Sequence, residues 1–285
     1  MNPALFALLA GATCIALSPI FVRVSEAGPT ATAFWRVAIA VPVLWILYLR
    51  SRKTTRRYSG KWPLLLAAGF AFAGDLAFWH ASVKLTSVAN STLLANLASM
   101  FVTLAVWIFL RQRPGGLFLA GLGTALVGVS LLVHTSLQFS ATGLLGDALG
   151  VVTAMFYAGY ILAVKGLRDR GETTLHLMAV TTTITTIFLF PAALASGDQM
   201  LPATAFGWWM LIGLALVSHA AGQGLIAYAL AHLPAAFSSV SLLFQPVMAA
   251  LFAWVLLSEA LVPLQILGGL VVLAGIYLAR RGSRL

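Results

Sequence analysis

The sequence predicts an all-α integral membrane protein whose ten transmembrane helices form two inverted five-helix repeats. Three observations carry that prediction. Of the 285 residues 61% are hydrophobic and only 8% charged, with a mean hydropathy of +0.98, a balance foreign to soluble globular domains. Apolar runs of roughly 20 residues, long enough to cross the hydrocarbon of a bilayer, recur ten times and are ended by charge, Pro, Gly or polar clusters. The stretch 85–133 also matches 232–280 at a shift of 147 residues.

The spans are expected near 3–22, 31–49, 62–83, 88–110, 115–133, 143–165, 175–195, 205–229, 235–257 and 264–280. The first begins MNPALFALLAGATCIAL, with no basic region ahead of it and no convincing cleavage site, so it reads as a retained span. Cys14 is the one cysteine, which rules out an internal disulfide and points to packing. Between the second and third spans lie Arg50, Arg52, Lys53, Arg56, Arg57 and Lys61, and a linker so basic marks a cytoplasmic loop. If both termini are cytoplasmic, Arg111, Arg113, Lys165, Arg168, Arg170, Arg280, Arg281 and Arg284 fall on that same side. Only Arg23, Arg36 and Lys84 then lie elsewhere. The formal charge of +10 therefore records topology and gives no ground for a nucleic-acid partner. Trp62, Trp208 and Trp209, with Trp45 and Tyr48, sit near span ends and suit the membrane interface.

The repeat turns ten spans into an architecture. The 147-residue shift pairs Ala89 with Ala236, Ser91 with Ser238, Leu104 with Leu251, Trp107 with Trp254, Leu110 with Leu257, Gly121 with Gly268, Leu126 with Leu273 and Gly128 with Gly275. Residues 1–137 and 138–285 are the expected halves. Five spans per half is odd, so the second half enters the membrane in the opposite sense, the common plan of secondary transporters with a site at mid-membrane between the halves. The glycines of 116–128 and 268–275 are expected to let the fifth and tenth spans approach neighbours closely.

Polar residues inside spans are the candidate site. Asp75 and Trp79 share a face of the third span, and His80 is turned about 100° from Trp79. Asp75 and His80 are the candidates for proton coupling, the competing reading being fixed polar contacts between helices. In the fourth span Asn90, Thr92, Asn96 and Ser99 accompany Ser91, and Thr92, Asn96 and Ser99 make a stripe able to hydrogen-bond a small zwitterion, polar contacts between helices being the competing reading. The ninth span answers with Ser238, Ser239, Ser241 and Gln245 before Pro246, which removes a helical hydrogen bond. His219 and Gln223 lie one turn apart in the eighth span, with Gly222 at the position equivalent to Asp75. Tyr157 and Tyr160 in the sixth span and Ser18, beside Pro19, in the first complete the set, aromatic packing being the competing reading for the tyrosines. Arg36 is deep enough to need a partner or a water route, with Glu26 and Asp147 as candidates. No GxxxxGK[ST] phosphate loop, metal-ligand spacing or nucleophile pattern is present, so no cofactor, metal or catalytic residue is expected.

Two stretches carry a family resemblance over essentially the whole chain. They are Phe34-Trp35-Arg36 in the second span and PVMAALFAWVLLSEALVPLQILGGLVVLAG from Pro246 to Gly275, with Glu259, Gln265, Gly268 and Gly275 at telling spacings. The sequence resembles the EamA family of the drug/metabolite transporter superfamily, and within it is similar to the YddG-like exporters of aromatic and other apolar amino acids. The first half departs from the pattern, with Gln112 opposite Glu259 and Phe118 opposite Gln265. The resemblance implies a carrier in the bacterial inner membrane, lipid-embedded, both termini cytoplasmic, with a central cavity built from spans 1, 3, 4, 6, 8 and 9. The cargo it implies is a small apolar or aromatic zwitterion exported by alternating access, by proton antiport or facilitated export. Another small metabolite or drug as cargo, or a non-transporting channel or scaffold, is the alternative.

Overall fold

The structure, a computed structural model, describes residues 2–51, 61–86, 88–133, 143–258 and 260–283; the side chains of residues 88–90 and 257 lie outside that description. Asn90 as a side chain, Glu259, Arg284 and the expected 137/138 boundary therefore fall outside the described residues. Among the described residues ten helices are long and apolar enough to cross a membrane: α1 Pro3–Arg23, α2 Pro29–Arg50, α3 Trp62–Leu85, α4 Ser91–Leu110, α5 Gly116–Val133, α6 Gly143–Asp169, α7 Thr174–Ala195, α8 Ala205–Ala229, α9 Ala235–Leu256 and α10 Pro263–Gly282.

Their starts follow local chemistry. Asn2 caps α1 by accepting from the Ala4 amide at 2.9 Å, with Pro3 at the first helical position, where its missing N–H costs nothing. Thr204 caps α8 by accepting from the Gly207 amide at 3.2 Å. Gln265, part of the family-like stretch, accepts from the Val262 amide at 3.2 Å and closes the start of α10. Among the described residues two helices end on a left-handed residue that is not glycine, α4 at Arg111 with φ 55° and α9 at Ser258 with φ 56°. Those positions are repeat equivalents, so the backbone carries the same symmetry as the residues.

Several helices are interrupted within their spans. Leu17 interrupts α1 and Ile39 interrupts α2, each shortly before a proline, Pro19 and Pro42, that cannot donate to the preceding turn. In α4 the break lies between Ala95 and Ala98, and in α9 between Ser241 and Phe244, again as repeat equivalents to within one residue. Pro246 contributes to the second of these, as the sequence anticipates. In α8 residues Leu214–Gln223 widen into a π-helix, whereas the equivalent stretch of α3 is regular.

The most extensive helix contact is α5 against α10. A Cβ on Gly121 would lie 2.3 Å from the Ala279 amide nitrogen and 2.7 Å from the Gly275 carbonyl. One on Gly128 would lie 2.5 Å from the Val272 nitrogen and 2.8 Å from the Gly268 carbonyl. Because Gly121 and Gly268 are equivalent, as are Gly128 and Gly275, these two contacts are symmetry mates across an inverted two-fold. Around this seam Phe118, Leu122, Ala125, Val129 and Val272 form one core cluster; a larger one fills the space among α1, α2, α3, α4, α6, α7, α8 and α9.

Polar latches tie the helix ends. At the face carrying the termini, Lys61 meets Glu172 at 3.1 Å and His176 meets the same carboxylate at 2.8 Å. At the opposite face Lys84 meets Asp198 at 2.6 Å. With Thr185 donating to the Gly69 carbonyl at 2.9 Å, α3 and α7 are fastened at both ends and in the middle. Glu26, in the α1–α2 connection, accepts from the Ala203 and Thr204 amides at 2.8 and 2.9 Å, holding the start of α8. Glu172 does the same for α3 from the α6–α7 connection, so the two carboxylates are approximate repeat counterparts on opposite faces. Burial pushes the Glu172 carboxyl up, but the hydrogen bonds from His176 and Lys61 outweigh it and hold it below the ordinary carboxylate range. Asp198 is likewise lowered, burial being outweighed by Lys84 and Thr30, and Glu26 is lowered first of all by its bond from Thr204.

Candidate functional site

A cavity of about 160 Å³ lies where the broken helices meet. Ser18 and Pro19 reach it from α1, Asp75, Phe72 and Trp79 from α3, Thr92 and Asn96 from α4, Tyr157 from α6, Gln223 from α8, and Gln245 and Pro246 from α9. Those are the six spans the resemblance implies. A seventh, α2, adds Arg36.

The breaks explain how these side chains arrive. Asn96 occupies the interruption of α4 and lines the cavity, its Nδ2 donating at 2.8 Å to the Thr92 carbonyl, which also accepts the Asn96 amide at 3.1 Å. Gln245 sits just beyond the equivalent break in α9. Tyr157, Gln223 and Gln245 line the same space from three different helices. Phe72, itself in the wall, joins Tyr160 at 4.7 Å between ring centroids and stacks on His219 at 5.4 Å, so that an aromatic layer backs the cavity.

Eight candidates read from the sequence, Ser18, Asp75, Trp79, Thr92, Asn96, Tyr157, Gln223 and Gln245, thus come together around one space. Five others stand behind it. The Nδ1 of His80 lies 2.7 Å from the Leu76 carbonyl. Ser99 donates to the Asn96 carbonyl at 3.0 Å and Ser241 to the Phe237 carbonyl at 2.9 Å. His219 is paired through Nε2 with the Thr182 hydroxyl at 2.9 Å. Tyr160 is 2% exposed and belongs to the aromatic layer.

Arg36 belongs among the lining residues, although sequence reasoning treated it as a charge in need of a counter-ion. Glu26 is occupied with the start of α8, and the acidic group acting on Arg36 is Asp75. The signal was present in Phe34-Trp35-Arg36. Phe34 is 9% exposed in the core, Trp35 donates to the Met200 carbonyl at 2.7 Å, and the rotation along α2 then carries Arg36 inward. Spacing along one helix could not identify a partner on another.

Two larger clefts, of about 640 and 570 Å³, lie at the face carrying the termini. The first is bordered by Lys165 and Asp169, which already pair at 2.5 Å, and the second by Arg111 and Arg113. The central cavity differs from both in bringing unpaired polar groups together: the Arg36 Nε, Gln223 Oε1 and Gln245 Nε2 are buried without a hydrogen-bond partner.

Comparison with known proteins agrees with this architecture. The model of the EamA-like transporter family matches residues 2–134 and again 144–281. The chain is 27% identical over 282 residues to the pseudopaline exporter CntI of Pseudomonas aeruginosa, covering 97% of this chain and 95% of that one. It is 27% identical to a probable amino-acid metabolite efflux pump of Salmonella typhimurium, over 79% of each. A solved structure with 15% sequence identity superposes with a TM-score of 0.85 over 99% of both chains, a likeness of fold alone.

Proposed function

Because the chain belongs to the EamA-like transporter family, we propose that it is a secondary-active exporter of small apolar or aromatic amino acids and related metabolites, working by alternating access. It is a multi-pass membrane transporter; the cargo and the mechanism are the proposal. The observation that carries them is the polar central cavity at the junction of the two inverted repeats, walled by broken helices from both.

The packing around the breaks supports a two-state cycle. The Ala98–Leu110 half of α4 packs on the Ala235–Ser241 half of α9, closing the cavity toward the face that carries the termini. Beyond the breaks the other halves have different neighbours, Val88–Ala95 leaning on α6 and Phe244–Leu257 on α1. Tilting the halves about the two equivalent breaks would open the closed side and shut the other. The basic residues at the terminal face, Arg111, Arg113 and Lys165 among them, support placing that face in the cytoplasm of a bacterial inner membrane. The conformation described is then outward-facing, and substrate would enter from the cytoplasm in the alternate one.

Vesicles containing the purified protein and loaded with phenylalanine, methionine or threonine test the reading. Saturable counterflow of the labelled amino acid is the expected result. Its absence for all of them sinks the amino-acid assignment, and a non-saturable leak in its place identifies a channel.

A further inference from the structure

Arg36 is 7% exposed, lines the central cavity and leaves its Nε without a partner. Asp75 lines the same cavity, and each group lies in the other's field. They are not joined: among the described residues the ion pairs within 4.0 Å are Lys61–Glu172, Lys84–Asp198, Lys165–Asp169 and His176–Glu172. A cation and an anion are thus held apart deep inside a membrane bundle, each incompletely compensated. An apolar ligand would leave both charges in that state, and a singly charged one would relieve one of them and strand the other. A dipolar ligand answers both.

We propose that Arg36 binds the carboxylate of the transported molecule and Asp75 its ammonium group, so that the cavity selects α-amino-acid zwitterions over amines and carboxylic acids of the same shape. The assignment rests on the amino-acid reading above and adds to it the residue that reads the carboxylate. Arg suits that role because its planar fork of donors matches two carboxylate oxygens. The ligand's side chain then lies along Phe72 and Trp79, on the apolar part of the wall. A space of 160 Å³ is close to the roughly 150 Å³ cavity known to hold benzene, so side chains of middle size, such as that of methionine, fit the conformation described.

The test compares methionine with its decarboxylated analogue 3-(methylthio)propylamine and its deaminated analogue 4-(methylthio)butanoate. Each is measured as an inhibitor of methionine counterflow and as a stabiliser of the purified transporter against heat, with phenylalanine and threonine alongside. Losing one charge-assisted contact weakens binding roughly tenfold or more, so both analogues are expected to fall behind methionine by at least that factor. In Arg36→Gln, methionine is expected to drop to the level of the amine while the amine is unchanged, and Arg36→Lys to recover part of the difference. Equal potency of methionine and the amine on the unaltered protein overturns the proposal without any variant. A folded Gln variant that keeps methionine's advantage over the amine overturns the Arg36 assignment but leaves amino-acid transport standing. Silence of methionine, phenylalanine and threonine alike, in both assays, overturns both readings.

Discussion

The α5–α10 seam and the central cavity obey opposite rules. At the seam every important contact has a mate: Gly121 against Gly275 is repeated as Gly268 against Gly128. At the cavity the symmetry is lost. Asp75 corresponds to Gly222, where a Cβ would meet the Ile15 side chain at 2.8 Å, and Arg36 corresponds to Thr183, whose hydroxyl accepts from the Trp45 indole at 3.0 Å. Both cavity charges come from the first repeat. A symmetric seam lets two inverted halves share one interface, whereas a polar molecule with distinguishable ends needs a site that is not its own mirror. The repeat thus supplies the frame, and its local failure supplies direction.

The sharpest way to break this comparison is at the seam. Gly121→Leu would drive a side chain into the backbone of α10, and backbone cannot rotate away, so loss of folded, monodisperse protein is expected. Gly123, two residues on, has nothing within 4 Å of a built Cβ, and Gly123→Leu is expected to leave the melting temperature in detergent within a few degrees of the original. Equal tolerance at both positions would mean that the close approach of α5 and α10 is not what holds the halves together.

At the cavity the expected loss is of transport, not of fold. Asp75→Asn keeps the shape of the side chain and removes its charge, leaving Arg36 without its opposite. Counterflow is expected to fall roughly tenfold or more, in line with the loss of one charge-assisted contact. Under an imposed pH gradient the variant is also expected to lose any proton dependence that the unaltered protein has. Retained proton dependence would remove Asp75 as the coupling group and return the question to His80, which lies behind the wall on the Leu76 carbonyl.

Much of the frame was legible in the sequence because hydrophobicity and repetition are one-dimensional signals. The expected 175–195 is observed as Thr174–Ala195, and 264–280 as Pro263–Gly282. The sixth span runs to Asp169, past its expected end at Lys165, because Lys165 pairs with Asp169 one turn on and carries the helix beyond the apolar stretch. Less legible were the features that depend on two helices at once. The interruptions at Leu17 and Ile39 have prolines behind them, yet proline can bend a membrane helix without breaking it, and only the surrounding packing decides. Polar residues could be assigned to spans but not to walls. Thr92 and Asn96 face the cavity, while Ser99, on the same stripe, lies past the break, where the helix has turned away.

The acidic latches sharpen the comparison at its smallest scale, since they are approximate repeat counterparts with unequal surroundings. Glu172 is 2% exposed and compensates Lys61, itself 4% exposed, whereas Glu26 sits among exposed hydrogen bonds. Glu172→Gln leaves Lys61 buried without its counter-ion and is expected to cost on the order of 3 kcal/mol. Glu26→Gln is expected to cost clearly less, because an amide oxygen can still accept from the Thr204 hydroxyl and solvent reaches the rest. The pH dependence follows from the same bonds. Glu172, Glu26 and Asp198 all titrate below their ordinary values when folded, so the unfolded chain binds more protons than the folded one as each carboxylate titrates. Their contribution is complete at neutral pH and is lost as the pH falls from about 4.5 downward through the lowered values. Thermal unfolding of the purified protein between neutral pH and about pH 3 is therefore expected to show a falling midpoint, with Glu172→Gln flattening the fall more than Glu26→Gln. An equal effect of the two substitutions would show that burial does not distinguish the latches.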